Sequence, residues 1–111
     1  MRRHLTRRLV HEAPLRVEDG AGGWVQTWQE RGAHWGEVRM RSGDLKPTEF
    51  GRTPRLGIRI QTHAVPQDHV SRPWPGHRLT DGMRRYIVDA VHESDPGGRF
   101  MTILAQEEVT E

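Results

Sequence analysis

The chain contains no cysteine and only one lysine, Lys46, among 17 basic residues. The lack of cysteine excludes disulfides, thiolate nucleophiles and cysteine-ligated zinc, so a packed core must stabilise the fold. No apolar run approaches the roughly 20 residues that cross a bilayer, and the apolar part of the basic start MRRHLTRRLV is too short for a signal peptide. We therefore expect a soluble protein that folds as one domain over residues 1–111.

Basic charge is concentrated in the first part of the chain. Residues 1–60 contain 12 Arg and Lys against 7 Asp and Glu, whereas residues 61–111 contain 5 against 8. Arginine offers planar, bidentate donors that suit phosphates and interface ion pairs, although arginine-rich codon usage explains its abundance equally well.

Alternating apolar residues predict an all-β fold of about six strands, closed into a small antiparallel barrel or sandwich. The first strand covers Leu9 to Val17, and the second begins at Trp24 and continues to Met40 after a break at Gly32. Together they form a long hairpin that is bent or bulged near its middle. RLGIRIQT (55–62) reads as a strand with one apolar face, and residues 83–109 as a hairpin around SDPGG.

A glycine cluster, DGAGG (19–23), precedes Trp24 and raises the question of a phosphate-binding loop. Such a loop needs a Lys followed by Ser or Thr, and a helix N-terminus behind it. A strand follows here instead, so we interpret the cluster as a hairpin turn whose glycines supply positive φ angles.

Three tryptophans lie in the second strand. Trp24 and Trp28 share a face, with Trp35 beyond the bend. If exposed, they would form a stacking surface for nucleic-acid bases, but we expect them to be core. Trp74 lies between two prolines in the predicted loop 66–77, and we expect it to contact a partner protein.

No pattern of catalytic or metal-binding residues is present. The seven histidines show neither the HExxH motif nor an i, i+2 pair, and no nucleophile motif occurs. We predict no metal, no cofactor and no enzymatic activity.

The other long connection, residues 41–54, is mildly basic when the flanking Arg55 is included. Its basic residues could contact phosphates without reading bases, although an ordinary solvated loop would have a similar composition. These residues are Arg41, Lys46, Arg52 and Arg55.

The order of these segments resembles the phage head–tail joining family, also called head-completion or stopper proteins, which occurs in siphophages and gene transfer agents. The resemblance covers nearly the whole chain. It is carried by LTRRLVHEAP, DGAGGWVQTW, HWGEVRMRSG, RLGIRIQTHAV and DGMRRYIVDAVHESDPGGRFMTILAQEEV.

The resemblance implies a small barrel that forms a homo-oligomeric ring of six copies in a virion or virus-like particle, made in the bacterial cytoplasm. The ring would lie between the portal adaptor and the tail terminator, and double-stranded DNA would pass through it. The loop between the second and third strands, here 41–54, would project into the channel and retain the DNA.

Two other functions fit the same residues. A free small barrel could bind single-stranded nucleic acid through its tryptophans. The chain could also be a tail or baseplate component, since small barrels serve many roles.

Overall fold

The computed structural model describes residues 4–40 and 57–108. Within these residues the secondary structure consists of β-strands, and no helix is long and apolar enough to cross a membrane. The six strands are β1 (Arg7–Glu18), β2 (Trp24–Met40), β3 (Gly57–His63), β4 (Arg78–Asp81), β5 (Arg84–Glu93) and β6 (Phe100–Glu107).

The strands form one antiparallel sheet that closes into a barrel in the order β1-β2-β3-β6-β5-β4. The predicted all-β fold is therefore confirmed, and of the two predicted architectures, barrel and sandwich, the structure is a barrel. The barrel is filled mainly by aliphatic side chains around the ring of Tyr86, and each of the following is almost fully buried: Leu9, Ile58, Ile60, Leu79, Val88, Met101, Ile103 and Ala105.

Strand β3 shows the alternation that its sequence predicts. Ile58, Ile60 and Thr62 are buried in the barrel, whereas Arg59 and His63, which point the other way, are exposed. Strand β6 is buried at three consecutive residues, 101–103, so both of its faces are covered there. Strand β4, which has only four residues, was not assigned from the sequence because it is too short to display a period.

The hairpin of β1 and β2 is longer than the barrel is tall. Strand β4 pairs with β1 only at residues 10–12, and β3 pairs with β2 only at residues 36–40. Residues 13–29 therefore extend beyond the barrel as a two-stranded ribbon, which we call the arm. The prediction that alternate residues of the first strand are half-buried holds only as far as Ala13, because Leu15 and Val17 lie on the arm and are 45% and 44% exposed.

A β-bulge joins the arm to the barrel. His11 pairs with Gly32 and Glu12 pairs with Glu30, so Arg31 is the extra residue, and Gly32 adopts a φ of 118°. This is the predicted bend near Gly32. The extra residue also shifts the alternation of inward and outward side chains by one position. Trp24, Trp28 and Trp35 therefore lie on the same outward face.

The glycine cluster at the arm tip forms a turn, as predicted. Gly20 and Gly22 have φ angles of 83° and 86°. Asp19 Oδ1 accepts hydrogen bonds from the N–H groups of Ala21 and Gly23 at 2.8 and 3.0 Å, which lowers the pKa of the Asp19 carboxyl. Because these amides already donate hydrogen bonds to the Asp19 carboxylate, they are not free to bind a phosphate.

Candidate functional site

The basic residues predicted to contact DNA are Arg41, Lys46, Arg52 and Arg55, and all four lie outside the described residues. Their strand neighbours are described. Met40 at the end of β2 pairs with Ile58 near the start of β3, at the end of the barrel opposite the arm. The assignment of these four residues stays a prediction.

Trp74 lies in the connection between β3 and β4, at the same end of the barrel as the arm. Its side chain is 46% exposed, while the preceding Arg72 and Pro73 are buried. Arg72 donates a 2.8 Å hydrogen bond to the carbonyl of Val65, and the Trp74 N–H donates to His77 Nδ1 at 3.2 Å. The backbone is thus fixed while the indole stays accessible, as a partner contact would require. That role stays a prediction.

The tryptophans of β2 are not core residues, so that expectation is wrong. Trp24 and Trp35 are 57% and 55% exposed, because both lie on the outward face of the hairpin. Trp28 is partly covered by the guanidinium of Arg78, whose carbon lies 4.1 Å from the ring centroid. Arg78 also donates to Glu12 Oε1 at 3.0 Å, and these contacts hold the base of the arm against β4.

A cluster of histidines occupies the barrel interior beneath the arm. His11 and His34 are 0% and 8% exposed, and their ring centroids are 5.4 Å apart. His11 Nε2 lies 2.8 Å from His77 Nδ1. Because His77 Nδ1 also accepts the N–H of Trp74, we assign the shared proton to His11 Nε2.

All three histidines are held neutral. Burial is the largest cause, and it lowers the pKa of His11 to about 4, helped by the neighbouring His34, His77 and Arg31. Burial likewise lowers the pKa of His34 and of His77. The cluster therefore packs as uncharged rings at neutral pH.

The cluster shows no arrangement for metal binding. Within residues 4–40 and 57–108, no group of three histidine or acidic side chains is positioned to hold a metal ion. The contact of His11 with His77 is a hydrogen bond, so the nitrogens that face each other share one proton. Sequence analysis missed the cluster because His34 and His77 are distant from His11 in sequence. The available signal was that His11 has the same parity as the core residues Leu9 and Ala13.

A family profile described as phage head completion protein matches residues 1–108. The chain therefore belongs to the phage head completion protein family, and the resemblance seen in the sequence is confirmed.

Among solved structures, the chain is similar to a chain of the virion of a native gene transfer agent particle. The two are 38% identical, the match covers 97% of this chain and 98% of that chain, and the TM-score is 0.82. No curated protein matches the chain.

Proposed function

We propose that this protein is a structural subunit of a phage or gene transfer agent particle that joins the head to the tail. Several copies, six by family resemblance, form a ring between the portal adaptor and the tail terminator, and double-stranded DNA passes through the ring without sequence recognition. The observation that carries the proposal is family membership over residues 1–108, supported by similarity across 97% of the chain to a chain of a gene transfer agent virion.

The described part of the barrel agrees with a structural role. Its interior is filled with side chains, so in the proposed ring the DNA would pass between copies and not through a barrel. Its interior histidines are neutral and form no metal site, and we propose that the protein is not an enzyme.

We further propose that residues 41–54 face the channel and that Arg41, Lys46, Arg52 and Arg55 contact the DNA backbone. The strands that flank this segment, β2 and β3, meet at the end of the barrel opposite the arm. Phosphate contacts from these residues would retain DNA of any sequence.

Electron microscopy of particles from a producer that lacks this gene tests the joining role. We expect separate tails beside unjoined heads that leak DNA. Complete, filled particles without the protein would refute it. In a second strain, replacement of the four basic residues by Ser should leave heads joined to tails but reduce retained DNA, and normal retention would refute the gating role alone.

Two alternatives have separate tests. A free nucleic-acid-binding barrel predicts salt-dependent quenching of tryptophan fluorescence by single-stranded DNA. Trp24 and Trp35 are exposed, as this alternative requires, whereas Trp28 is partly covered by Arg78. A tail or baseplate component would be located away from the head–tail joint in labelled particles.

A further inference from the structure

The arm exposes several apolar side chains. On the face that continues the barrel interior, Leu15, Val17 and Val25 are 45%, 44% and 48% exposed, and Trp24 on the other face is 57% exposed. An isolated two-stranded ribbon is marginally stable in water. Among the described strands, none pairs with the outer edge of either arm strand, so both edges are also open.

The tip of the arm is acidic. Glu18 and Asp19 are both exposed, and the turn amides lower the pKa of the Asp19 carboxyl further below neutrality. The arm thus presents an apolar face on one side and two negative charges at its tip, of which Glu18 lies on the face of its pairing partner Trp24.

A complementary surface is present on the outside of the same barrel. The outward face of β1, β2 and β3 carries exposed arginines beside Trp35, which is 55% exposed. We call this surface the basic wall, and its residues are Arg8, Trp35, Arg39 and Arg59. Arg39 forms an ion pair with Glu37, whereas Arg8 and Arg59 have no acidic partner among the described residues.

We infer that the arm of one copy lies across the basic wall of the next copy. The apolar face of the arm would pack against Trp35 and the aliphatic parts of the arginines, while its acidic tip would pair with Arg8 or Arg59. This inference rests on the proposed function only in requiring several copies in one particle.

The size of the arm indicates where the contact forms. Six residues of β1 span about 20 Å, and two paired strands are about 10 Å wide. Covering one face of the arm therefore buries on the order of 400–600 Å² over both partners, well below the roughly 1,200 Å² of a stable complex. The contact should form within assembled particles rather than between free chains.

Cross-linking in particles tests the inference directly, since the natural chain has no cysteine. Thr27→Cys places a thiol on the arm between Leu15 and Val25, and Leu104→Cys places one beside Arg59 in the wall. A short bismaleimide should convert the double variant into multiples of the 12.8 kDa chain. The control pairs Thr27→Cys with Met83→Cys, which is 96% exposed at the barrel end opposite the arm, and should give no such bands.

The outcomes separate this inference from the proposed function. Multiples of the chain in joined particles support the arm contact. If the protein is present in joined particles but shows no cross-link, or only one to a different protein, the inference fails while the joining role stands. If the protein is absent from the particles, the proposed function itself fails.

Charge reversal provides a second test in the same cysteine background. Replacing both Arg8 and Arg59 by Glu should lower the yield of cross-linked product about fivefold, because negative charges would then face the acidic tip. Equal yields with and without these two substitutions would overturn the pairing of the acidic tip with the wall.

Discussion

Mild acid should destabilise the protein through the histidine cluster. His11 is buried against the rings of His34 and His77, with Arg31 and the backbone of Ser71 also close to it. Its pKa in the folded protein is about 4, against an ordinary value of 6.5. As the pH falls, the unfolded chain therefore binds a proton before the folded protein does.

The sign and size of the effect follow from this difference. The stability that neutral His11 contributes is complete above pH 6.5 and is lost as the pH falls from 6.5 towards 4. At about 1.4 kcal/mol per pKa unit, lowering the pH from about 7 to about 5 should cost about 2 kcal/mol through His11 alone. His34 and His77 change in the same direction, because burial lowers the pKa of each.

Urea unfolding followed by tryptophan fluorescence measures this loss. The wild type should lose stability between about pH 7 and pH 5, before most carboxylates begin to be protonated. His11→Leu should lose about 2 kcal/mol less over the same interval, whatever its stability at pH 7. The matched control is His92→Gln, an exposed histidine outside the cluster, which should behave as wild type. Equal losses in wild type and His11→Leu would refute the reasoning.

Two substitutions test packing at other points of the fold. A Cβ added at Gly36 would lie 3.1 Å from the Gln61 carbonyl oxygen, so Gly36→Ala should cost about 1–3 kcal/mol in urea unfolding, and an unchanged midpoint would contradict that contact. Arg78→Lys keeps the charge but loses the flat stacking on Trp28, so it should lower the free energy of unfolding by about 0.5–1 kcal/mol and change the fluorescence emission of Trp28. The control is Arg85→Lys, at an exposed arginine of β5, which should change neither.

The sequence was sufficient for the strands that show a clear period and for the glycine turn. It was not sufficient for the position of the tryptophans. Their parity correctly placed Trp24 and Trp28 on one face, but parity does not say whether that face points inward or whether the hairpin extends beyond the barrel. The four-residue β4 and the histidine cluster also escaped prediction, since both depend on contacts between residues far apart in the chain.

The barrel is closed by the pairing of β1 with β4, and this pairing is short. Only three residue pairs join these strands, against twelve between β1 and β2. His11 and His77, which contact each other beside this pairing, are 66 positions apart in the chain. Closing so long a loop for so few backbone pairs favours late formation during folding and early opening in the native state. The chain would then first assemble as a curved open sheet with β1 and β4 at its edges. The hydrogen bond between His11 and His77 and the Arg78–Glu12 ion pair would then stabilise the closed barrel against this open sheet.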